Sequence, residues 1–122
     1  MPDNYIITNE DGLYRRYPIR EEPKYEHFWK LENGMKIPSS AAFKTKNGED
    51  GLSVDIASLT TPAKTSGDPL YFGVAEFQAS VPLNAGFPCV PDKQPGNDAH
   101  ALIVGDTNPI AKKLSRSIVA IY

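Results

Sequence analysis

Proline and glycine punctuation constrains this chain more than any other feature of its sequence. Eleven prolines and nine glycines are spread over 122 residues. Proline lacks a backbone donor and glycine adopts backbone angles that other residues avoid, so both concentrate in turns. A fold rich in turns and loops is expected. Hydrophobic residues make up 40% and charged residues 23%, an ordinary globular mixture that argues against intrinsic disorder. A chain of this length can bury well over half of its unfolded surface around one core, so a single domain over 1–122 is expected.

Charge narrows the function classes. Thirteen basic and fifteen acidic side chains leave a net charge of -2, and both halves of the chain are close to balanced. Such a balance provides no strongly basic footprint for sequence-independent nucleic-acid binding, which makes nucleic acid an unlikely partner. The single cysteine, Cys89, rules out an internal disulfide, so packing alone must hold the fold and a reducing, cytoplasmic setting is expected. Met1-Pro2-Asp3-Asn4-Tyr5 lacks the basic and apolar regions of a secretory leader. No stretch approaches the roughly 20 apolar residues that span a bilayer, so no membrane association is expected.

Along the chain, Tyr5–Thr8 and Leu13–Tyr17 are β-prone runs separated by the turn-forming Asn9-Glu10-Asp11-Gly12, which predicts a hairpin. Within the second run Leu13, Arg15 and Tyr17 share one face while Tyr14 and Arg16 share the other. At least one arginine must therefore reach out of the core or find a partner inside it. Glu21–Leu31 supports two readings: a short helix with Tyr25, Phe28 and Trp29 on one face, or a strand entering a Glu32-Asn33-Gly34 turn with Met35–Ile37 as its return. Leu52–Ile56 alternates as a half-buried strand, Thr60–Pro69 reads as loop, and Leu70–Phe77 as a strand. Ser80–Gly86 reads as a helical turn stopped by its glycine, and Cys89-Val90 as a short strand. Within Asn97–Asp106, His100 sits at the mouth of an apolar run that reads as a buried strand.

Pro109 suits a first helical turn, and Ile110, Leu114, Ile118 and Ile121 recur at helical spacing, predicting a C-terminal amphipathic helix. Strands first and a helix last favour α+β: a small mixed or antiparallel sheet with that helix packed on one face.

The candidate polar site comprises Arg15, Arg16, Ser39, Ser40, Asp98 and His100. Guanidinium groups present a planar fork of donors suited to phosphate or carboxylate, and exposed ion pairs with Glu10, Asp11, Glu21 or Glu22 compete for the same arginines. Ser39-Ser40 after Pro38 can offer hydroxyls and amides to an anion, or simply cap a helix beginning at Ala41. Because an unperturbed imidazole has its pKa near neutrality, His100 is a candidate acid or base, with Asp98 two residues away; a strand-end histidine bonded to a backbone carbonyl is the other reading. His27, Cys89 and His100 show no paired metal-ligand spacing, so no metal is expected. Cys89 has apolar neighbours that favour burial over nucleophilic use. No P-loop, dinucleotide or nucleophile-elbow motif occurs, and no cofactor is called for.

The segments Leu13-Tyr14-Arg15-Arg16, Pro38–Phe43, Leu52-Ser53-Val54 and His100–Ile103 together resemble small uncharacterised bacterial proteins with no assigned activity. Arg15, Ser53 and Glu76 also occur in the order arginine, serine, glutamate, which is similar to ADP-ribosyltransferase-type folds. The first resemblance, with no complete catalytic set present, leads to an expectation of a bacterial cytoplasmic protein-binding or accessory module within a multi-gene system. The second implies an NAD- or nucleotide-dependent transferase using Arg15, Ser53 and Glu76 or His100, with a small anionic ligand. A third reading, weak nucleic-acid binding, rests on Lys112, Lys113 and Arg116 of the C-terminal segment.

Overall fold

The computed structural model describes residues 5–122, so the reading of Met1-Pro2-Asp3-Asn4 as lacking leader features lies outside the described residues. Apolar alternation is satisfied by a sheet. Its six strands are β1 (Gly12–Pro18), β4 (Gly51–Ile56), β5 (Phe72–Gln78), β6 (Cys89–Pro91), β7 (His100–Val104) and β8 (Ile118–Ile121), in the order β6-β7-β4-β1-β5-β8. Every pairing is antiparallel. A separate two-stranded hairpin pairs β2 (Trp29–Glu32) with β3 (Met35–Pro38). Three short helices, α1 (Pro62–Ser66), α2 (Ser80–Asn84) and α3 (Ala111–Arg116), complete an α+β architecture.

The core lies on one face of the sheet. Leu13 and Tyr17 of β1, Leu52, Val54 and Ile56 of β4, Ala75 and Phe77 of β5, and Ala101 and Ile103 of β7 all point there. Phe43 covers them from a 3-10 helix over Ser40–Phe43, with Ala111 and Leu114 of α3 beside it. Phe43 meets Phe77 edge to face at 5.8 Å. Each large side chain removed from water here contributes roughly 1.5–3 kcal/mol. Thr107, fully buried, donates its hydroxyl to the Phe43 carbonyl and so ties the approach to α3 to this layer. The opposite face carries Tyr14, Arg16, Ser53, Asp55, Glu76 and His100, as the strand registers require.

Several local expectations are corrected. Tyr5–Thr8 forms no strand; the Asp11 carboxylate takes the Tyr5 hydroxyl and the Thr8 amide across the Asn9-Glu10 turn. For Glu21–Leu31 the strand-and-turn reading holds: after a 3-10 helix at Glu26–Phe28 comes β2, and Asn33 and Gly34, both at positive φ, 52° and 78°, make the tight turn a twisted hairpin favours. Within Thr60–Pro69, Thr61 caps α1 through its hydroxyl to the Lys64 amide.

The C-terminal helix stops at Arg116 and the chain ends in strand β8. The helix-like isoleucine spacing comes instead from a β-bulge in the pairing of β8. The register with β5 shifts between Glu76 and Phe77, so Phe77 faces Ile118 while Ala75 faces Ile121. A bulge inserts one residue and restores the facing of the next. Two isoleucines three apart thus share the core face of a strand, imitating helical spacing.

Candidate functional site

The pairing of β1 differs sharply on its two sides. Seven residue pairs join it to β5, from Gly12↔Gln78 to Pro18↔Phe72, but only Leu13↔Ile56 and Tyr14↔Asp55 join it to β4. Beyond Tyr14 the two strands part. Arg15 fills the split: its Nε donates to the Ala42 carbonyl at 2.8 Å and its Nη1 to the Ser53 carbonyl at 2.9 Å. A charged donor thereby replaces ladder bonds that the diverging backbones cannot make. Burial brings the Arg15 guanidinium down to about 10, opposed by the nearby Glu49 carboxylate and assisted by Arg16. The group remains cationic at neutral pH.

The split opens into a cleft of about 920 Å³, lined among others by Arg15, Arg16, Ser53, Asp55, Phe72, Asn97 and His100. Lys44, Lys46, Lys64 and Glu49 also line it. Five of the chain's thirteen basic side chains are therefore gathered here with two of its fifteen acidic ones. This local surplus of three positive charges sits in a chain whose net charge is -2. None of the five cations belongs to an ion pair among the described residues. Arg16 lies over the Phe72 ring, 4.1 Å from its centroid, leaving its edge donors free of protein partners among the described residues. Tyr25, His27 and Phe28 add planar groups to the wall, with the His27 and Phe28 ring centroids 3.9 Å apart.

Asp55 is buried at 8% exposure. Its oxygens are satisfied by Thr65 of α1 at 2.7 Å and by the Asn97 amide at 2.9 Å. Both partners also line the cleft, so this carboxylate fastens α1 and the loop before β7 to the sheet. Directly across from Asp55 on β7 stands His100. Its Nδ1 lies 2.9 Å from the Asp92 carbonyl and 3.2 Å from the Asp92 carboxylate.

Of the residues singled out from sequence, Arg15, Arg16 and His100 line one cavity, together with Ser53. Ser39 and Ser40 are not brought into it: the Ser39 hydroxyl donates to the His27 carbonyl and makes no cap bond at the 3-10 helix that follows. Asp98 faces a smaller neighbouring cavity of about 580 Å³ and approaches Lys93 at 3.6 Å. Glu76 also lies outside the cleft and accepts the Tyr122 hydroxyl at 2.8 Å. No group of three or more histidine, cysteine or carboxylate side chains is placed to hold a metal among the described residues. Cys89 is a buried free thiol, raised by burial to about 11.

Sequence reasoning missed Asp55, Asp92, Asn97 and the three lysines. Asp55 had one legible signal, a carboxylate inside the otherwise half-apolar strand Leu52–Ile56. The lysines had none, because separate loops and α1 supply them. No protein-family model, curated protein or solved structure matches this chain.

Proposed function

We propose that this chain binds a small anionic ligand bearing a planar group, of the nucleotide class, in the cleft between β1 and β4. The observation that carries this reading is the unpaired cationic surplus beside aromatic walls. Phosphate or carboxylate oxygens fit the free edge of Arg16, while Arg15 supplies fixed positive potential behind it. A planar base fits against Tyr25 or Phe28, since stacking on an aromatic contributes roughly 1–3 kcal/mol per base. The test is isothermal titration of the full chain with adenosine 5′-monophosphate, NAD and inorganic phosphate. Saturable binding that Arg16→Ala weakens about tenfold to a hundredfold supports the reading, the loss of one charge-assisted contact being worth roughly 1.5–3 kcal/mol. Absence of binding to all three overturns it.

A transferase of the NAD- or nucleotide-dependent type fits the same cleft through Arg15, Ser53 and His100, with Glu76 standing elsewhere. The protein-binding reading is favoured by a different observation. Strand β8 is an outer edge of the sheet, with Val119 62% and Tyr122 56% exposed, and an unpaired edge can accept a partner strand. Co-expression with the products of neighbouring bacterial genes tests it, with Val119→Lys expected to break any complex formed. A cytoplasmic setting suits the free, buried Cys89; no helix among the described residues is long and apolar enough to cross a membrane.

A further inference from the structure

We infer that His100 is the general base of a phosphodiester hydrolysis carried out in this cleft, an inference that rests on the nucleotide-class reading above. Both groups facing Nδ1 are acceptors, the Asp92 carbonyl at 2.9 Å and the Asp92 carboxylate at 3.2 Å. Nδ1 therefore bears a hydrogen, which in the neutral tautomer puts the lone pair on Nε2. Nε2 has no hydrogen-bond partner among the described residues and is not sealed from solvent, and the ring lines the cleft. Exposure to solvent leaves that nitrogen able to meet water or a ligand. One nitrogen is thus fixed on Asp92, and the ring it orients is part of the cleft wall.

The fixing is itself well built. The Asp92 amide donates to the His100 carbonyl at 2.8 Å, directly beyond the last β6–β7 pair, Pro91↔Ala101. Aspartate and histidine are thus held in one register by the sheet edge as well as by their side chains. The charged and titratable groups around the imidazole are Asp92 from the segment after β6 and Asp55 opposite on β4, with Arg15, Arg16, His27, Lys44, Lys46, Glu49 and Lys64 elsewhere on the cleft wall. This arrangement orients a base and supplies positive charge for a phosphoryl group.

In the reaction Nε2 takes one proton from a water molecule as that water's oxygen bonds to phosphorus. The phosphorus–oxygen bond to the leaving alkoxide breaks, with its electron pair passing to that oxygen, which then takes a proton from solvent. The imidazolium returns its proton to solvent. The products are one alcohol and one phosphomonoester. A diester is favoured over a monoester because its nucleophile needs more activation, whereas monoester transfer runs through a loose transition state where a base contributes little. Asp92 is a positioning residue.

The test uses the full chain with thymidine 5′-(p-nitrophenyl phosphate), reading p-nitrophenolate release, alongside titration with thymidine 5′-monophosphate. The expected result is turnover that His100→Gln reduces at least a hundredfold in kcat with thymidine monophosphate affinity within twofold of the parent. Asp92→Asn is expected to lower kcat with little change in KM and to displace the acid limb of the pH–rate profile. Binding of thymidine monophosphate without p-nitrophenolate release, or an undiminished rate in folded His100→Gln, overturns the inference and leaves the binding reading standing. Absence of thymidine monophosphate binding overturns the inference, while the binding reading falls only if adenosine 5′-monophosphate, NAD and inorganic phosphate also fail to bind.

Discussion

Arg15 donates through Nη1 to the carbonyl of Ser53 at 2.9 Å, across the gap where β1 and β4 cease to pair. One side chain thus holds the sheet together at the place where it opens. Leu13, Arg15 and Tyr17 share the core face, and burial of Leu13 and Tyr17 obliges the arginine between them to find acceptors. It finds them in the carbonyls of Ala42 and Ser53.

Replacing Arg15 with methionine keeps most of its apolar stem but strands both carbonyls. Two bonds from a charged donor at roughly 1.5–3 kcal/mol each imply a loss of about 3 kcal/mol or more. A Tm lowered by roughly 10 °C or more in calorimetry is expected. A shift below about 2 °C would show that the split closes without the guanidinium.

Arg16→Ala should behave in the opposite way. The guanidinium stacks on Phe72 at the surface and makes no hydrogen bond or ion pair with any described residue. Stability within about 1 kcal/mol of the parent is expected, since an exposed cation–π contact is worth ~0.5–1 kcal/mol. Denaturant unfolding checks this, and a much larger loss would assign Arg16 a structural role.

Alkaline pH should weaken the fold through Cys89. Its thiol is pushed from 9.0 to about 11 by burial, so between these values the unfolded chain releases a proton that the folded chain retains. Stability from this group is full below pH 9 and is lost as pH rises through about 11. The window corresponds to about 2–3 kcal/mol. Tyr17, raised to about 12 by burial, adds a loss of the same sign at higher pH, while Arg15, lowered to about 10, acts oppositely. The difference between parent and Cys89→Ala isolates the thiol: urea unfolding should show the parent's advantage nearly constant from pH 8 to 9 and shrinking at pH 10 and 11. A constant difference would refute the assignment.

Gly51→Ala should disrupt the β4–β7 pairing at its end. A Cβ there would lie 2.2 Å from the Ile103 carbonyl oxygen and 3.1 Å from the Val104 Cα. Backbone on a paired strand cannot step aside as a flexible side-chain tip can. A destabilisation of roughly 1–3 kcal/mol is expected, with accelerated amide exchange along β7. Parent-like exchange would show that the strand end relaxes freely.

Much of the fold was legible in individual residues. Leu52–Ile56 alternates and becomes β4, Gly86 ends α2 at a φ of 89°, and Arg15 and Arg16 do fall on opposite faces of β1. His100–Val104 is a strand, although alternate residues rather than the whole run are buried. Ile118 and Ile121 were misleading because a bulged strand and a helix both place residues three apart on one face. The candidate cleft was legible only in part. Arg15, Arg16 and His100 carry recognisable chemistry wherever they lie, but the link from His100 to Asp92 arises from β6–β7 pairing, which local sequence does not encode.

Taken alone, the sequence determined an α+β fold of short elements without an internal disulfide, and on β1 two arginines committed to opposite faces. These follow from residue type and strand periodicity, which act locally. Only the tertiary structure decided that β1 and β4 separate after two pairs, that lysines from distant segments converge on the opening, and that the His100 ring is anchored by Asp92. The physical reason is that each depends on long-range strand register and on which buried polar groups must be satisfied once the core has closed.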